Sequence, residues 1–347
     1  TKKYGFQKAK LIRGEGVNSV EWLIDFIKSE NFDCDLKREG RFHGAHTPIE
    51  FKKMVAECNN LKENEGIETQ IIDKSDQKNE INSDLYHGGV VFPQHASLNA
   101  AKYHKDLIEK AIGLGVSVIS NCEIVDFKKK LDEFSVLTNK GPLTANNLVV
   151  ATNGYTSNVT PWLNKRNIPI GSYVIATEEL PINYISSLFP TNRHITDTCR
   201  VVYYFRPSPD RKRIIFGGRV SSREIGLSKS APLLLKDLKR VFPDLPELKI
   251  SHSWMGYVSY TFDHLPHTGS EDGLYYSMGY CGSGIALSSY LGMKLGKKVI
   301  GDKDSATAFD SLKFPTRPFY NGRPWFLPAV VELYKFRDSR EMIKYMN

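Results

Sequence analysis

Three glycines fall within the six residues Gly279-Tyr280-Cys281-Gly282-Ser283-Gly284, and Ile285-Ala286-Leu287-Ser288 follows with helical spacing. Glycine lets a backbone approach a ligand closely, and the first turn of the next helix presents unpaired N–H groups and a partial positive charge. The pair suits a phosphate or an electron-rich ring edge, although glycine before a helix is also ordinary turn chemistry. A second stretch, Asn147 to Tyr155 (Asn-Leu-Val-Val-Ala-Thr-Asn-Gly-Tyr), reads as a buried strand ending in small, flexible residues, as expected where sheet ends meet a dinucleotide. His43 and His46 flank Gly44-Ala45, and His264 and His267 flank Leu265-Pro266, but neither pair has a third ligand at metal spacing, so no metal is expected.

The elements that must position these residues follow from periodicity. Val20, Leu23, Ile24 and Ile27 predict an amphipathic helix from Val17 to Ser29, capped by Asn18 or Ser19. Residues 34–46 predict a strand pair around a glycine turn, Ile49 to Glu65 a helix, Gly88 to Pro93 a strand, and Asn99 to Gly113 a helix with Tyr103, Leu107 and Ile108 on its apolar face. Strands are then predicted at 116–120, 124–127, 134–138 and 147–152, the pattern of an α/β nucleotide-binding domain. From Ile168 to Tyr260 strands dominate (173–177, 200–206, 213–219), interrupted by a helix from Pro232 to Val241, which predicts an antiparallel sheet as a second domain. A strand from Gly273 to Met278, the glycine loop, and a helix from Ile285 to Ile300 return to α/β organisation.

Composition narrows the classes. The 347 residues carry 47 Lys+Arg against 39 Asp+Glu, a formal charge of +8, with 41% hydrophobic and 25% charged residues, which is the balance of a folded protein. The basic residues are scattered in short clusters such as Lys128-Lys129-Lys130, with neither a basic face nor a binding motif for nucleic acid. Five dispersed cysteines without a C-x-x-C pair argue against a disulfide framework and for a reducing, cytoplasmic setting. The longest uncharged stretch, Gly273 to Met293, holds five glycines and four serines and does not read as a membrane span. The basic N-terminal residues have no initiator Met and no secretory pattern, so the chain is expected to begin inside a longer protein.

The ordered set of motifs resembles the flavin-dependent amine and D-amino-acid oxidoreductases, the group that includes sarcosine, glycine and γ-glutamylputrescine oxidases. It comprises Cys34 to His46, Ile124 to Phe127, Asn147 to Tyr155, Ile215 to Arg219, Trp254 to Tyr257, Asp263 to Gly269, Gly279 to Gly284 and Pro324 to Pro328. The resemblance spans nearly the whole chain. It implies an α/β, α+β overall fold in which an incomplete FAD-binding Rossmann-like domain is interleaved with an antiparallel-sheet substrate domain. Its segments would be 1–33 (helical part of the FAD domain), 34–93 (substrate), 94–165 (FAD), 166–265 (substrate), 266–310 (FAD) and a tail at 311–347.

The same resemblance implies noncovalent FAD held by Ile124 at the adenine, by Thr152, Asn153 and Gly154 at the ribose and diphosphate, and by Gly279, Tyr280, Gly282, Ser283, Gly284 and Ile285 at the isoalloxazine. Substrate contacts would come from Arg219, Trp254, Tyr257 and Tyr204, on strands that face the flavin in the family. The implied reaction oxidises a C–N bond of a small amine or amino acid: hydride passes to flavin N5, the imine hydrolyses, and oxygen or another acceptor reoxidises the flavin. Three departures accompany it. The family's opening G-x-G-x-x-G unit has no match, since Gly14-Glu15-Gly16 and Gly113-Leu114-Gly115 lack the rest of the pattern, so either the chain is a fragment or another chain supplies the unit. Ala286 stands where the sarcosine oxidase branch has its carboxylate-binding lysine, and Trp254 stands near the place of the cysteine that tethers flavin there. The alternative reading is a noncatalytic or truncated remnant that does not hold FAD. Oligomeric state is not legible.

Overall fold

Leu23, Ile24 and Ile27 are buried along one side of a helix that runs from Phe6 to Ser29, longer than the Val17 start predicted from the apolar spacing. Gly14 and Gly16 lie inside it, although each costs a helix about 1 kcal/mol relative to alanine. The helix continues through them because its face packs on a later one: Ile12 and Trp22 join the cluster of Leu287, Tyr290 and Leu291. Ser19, expected as a cap, lies in the middle and donates back to the Gly16 carbonyl at 2.7 Å.

The computed structural model describes residues 3–271 and 273–345. The chain forms two compact units, one from residues 1–34, 100–170 and 257–324, the other from 35–99, 171–256 and 325–347. The changes of unit thus fall at 34/35, 99/100, 170/171, 256/257 and 324/325, whereas the sequence placed comparable changes near 93, 165 and 265 and left the last segment as a tail.

In the first unit, Leu148–Val150 pairs in parallel with Leu274–Met278, which pairs antiparallel with His267–Glu271. A separate antiparallel sheet joins Ile124–Lys130, Glu133–Thr138 and Gly141–Ala145, burying Phe134 and Val136. The helix Ala100–Gly113 forms as predicted and buries Tyr103. Residues 116–120 form no strand and pair with none among the described residues, and Leu114 and Ile119 remain exposed. Their β-branched composition was read correctly, but a strand needs a neighbour to complete its ladder.

The second unit is organised by an eight-stranded mixed sheet. Arg41–Gly44 pairs antiparallel with Gly89–Phe92 and in parallel with His194–Asp197, so residues 34–46 do not form the local strand pair that was predicted. Tyr204–Pro207 and Ile214–Gly218 continue the sheet toward Ile168–Thr177 and Ile250–Tyr260. Phe42, Ile175, Ile195, Phe205 and Phe216 project from one face into the main core, where the helix Leu227–Val241 lays Leu234, Leu238 and Val241 over them. The strand predicted from Arg200 begins only at Tyr204, because Arg200 turns to Asp338 and Glu341 and the Val201 N–H donates to Asp338 at 3.1 Å. Those acceptors lie on a helix, Leu327–Tyr345, that was read as tail although Leu327, Val331, Asp338 and Met342 make a buried stripe at helical spacing.

Candidate functional site

The ends of the two parallel strands in the first unit are tied together by one side chain. After Leu148–Val150 the chain turns at Asn153, whose φ of 43° is left-handed, and its Oδ1 accepts the Gly279 N–H at 3.1 Å, just beyond Leu274–Met278. Asparagine is among the few residues that tolerate this backbone. The Asn153 carbonyl in turn accepts from Thr156 Oγ1 at 2.7 Å and Asn167 Nδ2 at 3.1 Å. Gly279 itself has φ +80°, and a Cβ there would come within 2.3 Å of Thr261 Cγ2. Tyr280 is buried with its hydroxyl 2.9 Å from Ser277 Oγ. Cys281 donates to the Gly279 carbonyl, and burial pushes its thiol up, away from thiolate reactivity.

The loop delivers the chain into the helix Gly284–Val299, whose N-cap Ser283 makes no side-chain capping bond. Its first N–H groups are therefore without a side-chain cap. A groove of about 530 Å³ opens beside this end, between Val149, Ala151 and Asn153 on one wall and Tyr280, Gly284, Ile285 and Ser288 on the other. Leu287 and Leu291 turn the helix's apolar face inward, whereas Gly284, Ser288, Gly292 and Gly296, four residues apart, face the groove. Val149 and Ala151 fall in the 147–155 stretch singled out from sequence, whereas Ser288, Gly292 and Gly296 were missed, although their spacing from Gly284 could have signalled them.

Of the predicted cofactor residues, Asn153, Tyr280, Gly284 and Ile285 line this groove, and Gly279 is tied to it through Asn153. Gly154 is buried where a Cβ would meet the Tyr257 carbonyl at 2.6 Å, and Thr152 Oγ1 is paired with Thr156 Oγ1 at 2.8 Å. Gly282 and Ser283 are exposed on the loop, and Ile124 lies apart on the other sheet of the same unit.

The four substrate candidates are not gathered in one unit. Tyr257 belongs to the first, edge-on to Tyr155 with centroids 5.4 Å apart. Tyr204, Arg219 and Trp254 belong to the second. Tyr204 lies over Gly217, where any Cβ would strike its ring, and its hydroxyl meets Ser172 Oγ. Trp254 is 44% exposed. Arg219 is already engaged, donating to the Gly171 carbonyl at 2.9 Å, the Ser222 carbonyl at 3.2 Å and Glu224 at 3.3 Å. Those bonds give its guanidinium a structural task.

Two polar clusters were also missed. In the first unit, burial alone would raise the Asp263 carboxyl, yet donors from His267 (3.0 Å), Tyr4 (3.0 Å) and Thr261 (3.1 Å) hold it well below the usual range. His264 and His267 thus part company: His267 is buried, stacked 4.0 Å from Phe314 and paired to Asp263. In the second unit, His46, Asp338 and Glu341 bring ligand-type atoms within 4.8 Å of one another. The Arg200 guanidinium sits on both carboxylates, at 2.7 and 2.9 Å, and supplies the positive charge there.

This architecture is found in solved structures. Glycine oxidase from Geobacillus kaustophilus superposes with a TM-score of 0.74 at 17% identity, over 89% of this chain and 83% of that one. Iminodiacetate oxidase from Chelativorans sp. BNC1 gives 0.70 at 15% identity, over 86% and 82%. The sequence carries the assignment beyond the fold: residues 7–297 match the FAD dependent oxidoreductase family, DAO, and the chain belongs to it. Relatives include the gamma-glutamylputrescine oxidoreductase of Escherichia coli strain K12, 29% identical over 97% of this chain and 79% of that protein. A probable oxidoreductase, OrdL, of Haemophilus influenzae is 26% identical over the same shares.

The cofactor that the family name implies is FAD, and the near end of the groove fits part of it. Uncapped backbone N–H groups at Gly284 and Ile285 and the absence of side-chain bulk at Gly284 offer donors and space at the carboxyl ends of parallel strands, where such ligands bind. The far end, along Gly292 and Gly296, has no side-chain donor and suits close apolar packing. Among the described residues no helix is long and apolar enough to cross a membrane.

Proposed function

We propose that this chain oxidises the carbon–nitrogen bond of a small amine or amino acid, with noncovalent FAD held at the near end of the groove. The observation that carries the proposal is the Asn153–Gly279 tie, which sets the glycine loop and the uncapped helix start beside the strand ends in a chain of the FAD-dependent family. The relatives' names supply the substrate class: gamma-glutamylputrescine, glycine and iminodiacetate each carry an amine nitrogen next to an oxidisable carbon.

When bound, the flavin supplies a hydride acceptor. The chain's own part is orientation and charge: the N-terminal end of Gly284–Val299 would offer its partial positive charge to a cofactor edge on which negative charge develops. Asn153, Gly279, Tyr280, Gly284 and Ile285 would hold this edge, with Thr152, Gly154, Gly282 and Ser283 shaping the turns around it and Ile124 reserved for the adenine end. Trp254 would offer an aromatic wall to the amine, with Tyr204 and Tyr257 as further candidates, and Arg219 would position rather than touch it. Oxygen or another acceptor completes the cycle. Five free cysteines suit a cytoplasmic site of action.

The test is anaerobic mixing of the FAD-loaded protein with glycine, sarcosine, iminodiacetate, putrescine and γ-glutamylputrescine. Bleaching of the visible flavin band by at least one amine, with release of a carbonyl product, is expected. A loaded, folded protein that no amine bleaches would favour a noncatalytic role.

A further inference from the structure

One face of the second unit's sheet carries a concentration of basic side chains that the proposed chemistry does not use. Because side chains alternate along a strand, the burial of Phe42, Ile195 and Phe205 in the main core sends Arg41, His43, His194, Thr196 and Arg206 to the opposite face. Arg41 is paired in register with His194, and Phe205 with Ile195, so Arg206 falls beside His194. Around them, the Arg41 guanidinium lies 4.8 Å from the Phe92 ring, and the His95 ring is stacked with Phe92 at 5.3 Å and with His194 at 6.5 Å.

The polar atoms of this group are under-used. Arg41 donates once, to Thr196 Oγ1 at 3.4 Å, and His43 Nδ1 lies 2.9 Å from the same oxygen. Arg206 donates to the Leu98 carbonyl at 2.9 Å. Arg41 Nε and His194 Nδ1 are buried and have no partner. Neither arginine forms an ion pair among the described residues, and the carboxylates that Arg206 feels, Asp35 and Glu39, do not neutralise Arg41. Buried polar atoms without partners are uncommon in folded proteins and call for a ligand or water.

Burial, reinforced by Arg41, pushes His43 and His95 down to about 4 and His194 to about 3, so the imidazoles are neutral at pH 7 and the two guanidinium groups hold the charge. Arg41, with no carboxylate acting on it, beside Arg206, which feels Asp35 and Glu39, and flanked by neutral imidazoles able to donate, matches an oxyanion.

We propose that Arg41, His194 and Arg206, flanked by His43 and His95, form a binding site for a small oxyanion of the carboxylate class. The site stands independently of the oxidation, because it can be measured without turnover. The experiment is calorimetric titration of the FAD-loaded protein with sodium acetate, and separately inorganic phosphate, against a sodium chloride control at matched ionic strength. Saturable acetate binding is expected, weakened about tenfold or more in Arg41→Gln, the cost of a lost charged hydrogen bond, and unchanged in the surface variant Lys53→Gln. His194→Asn gives a second variant, and the imidazole nitrogen resonances of the unsubstituted protein give a readout that needs none: His194 should shift on adding acetate.

Two sources of the carboxylate are then separated with 4-aminobutyrate and putrescine. If the carboxylate belongs to the amine, 4-aminobutyrate competes with acetate and loses affinity in Arg41→Gln, whereas putrescine does neither. If it is a free anion, acetate binds together with either amine. Absence of saturable acetate and phosphate binding in the unsubstituted protein, or binding indifferent to both Arg41→Gln and His194→Asn, overturns the proposal.

Discussion

Replacing Asn153 separates two contributions that meet at the strand ends. The side chain accepts the buried Gly279 N–H at 3.1 Å, and the backbone sits at φ 43°. Removing the acceptor strands that N–H, which costs about 1–3 kcal/mol. Alanine adds about 1 kcal/mol for the left-handed conformation, a penalty glycine does not carry. Asn153→Gly should therefore lose about 1–3 kcal/mol and Asn153→Ala about 2–4 kcal/mol, with the roughly fivefold difference in folded population assigned to backbone alone. Urea unfolding measures the totals, and hydrogen exchange over residues 274–284 reports the Gly279 amide directly. Equal losses in the two variants would refute the backbone part, and unchanged exchange at Gly279 would refute the tie.

Other consequences concern the buried charges. Asp263, held below the ordinary carboxylate range, contributes stability that is full above its unfolded value near 3.9 and is lost as pH falls toward its folded value, so Asp263→Asn should flatten the acid limb of a stability–pH profile. Asp197 is the opposite case: burial raises it from 3.8 to about 7, so stability falls as pH rises between those values. Asp197→Asn should remove that decline and stabilise the protein at pH 8 relative to pH 5, read by thermal unfolding at the two values. Arg219→Gln should cost about 1–3 kcal/mol through its three lost acceptors, and a double-mutant cycle with Glu224→Gln should show coupling rather than additivity.

The legible parts of the fold were those where a local pattern and a tertiary partner agree. The strand–loop–helix from Leu274 to Val299 was read almost residue for residue, because a hydrophobic run, three glycines and an apolar 3–4 spacing each speak locally. Residues 41–44 were misread as half of a local pair because their partners lie near 90 and 195, far along the chain. Residues 200–203 have strand-like composition, but Arg200 and Val201 are drawn to Asp338 and Glu341, a contact no window of sequence contains. The same limit hid the Arg41–His194–Arg206 face, because Arg41 lies far along the chain from the neighbouring strands that carry His194 and Arg206. Arg219 shows the converse: a motif located the residue, and only its acceptors, Gly171, Ser222 and Glu224, revealed the work its guanidinium does.

The central claim, that the near end of the groove holds FAD, is tested most directly by acid-released flavin after incubation with FAD and gel filtration, alongside Gly284→Leu. A Cβ at Gly284 meets no atom within 4 Å, so the variant should fold normally while its side chain occupies the groove mouth. The account predicts one FAD per chain, with an oxidised flavin spectrum, and a Gly284→Leu protein that stays folded by circular dichroism but loses the flavin. A folded chain that retains no flavin, or a variant that retains it fully, would contradict it.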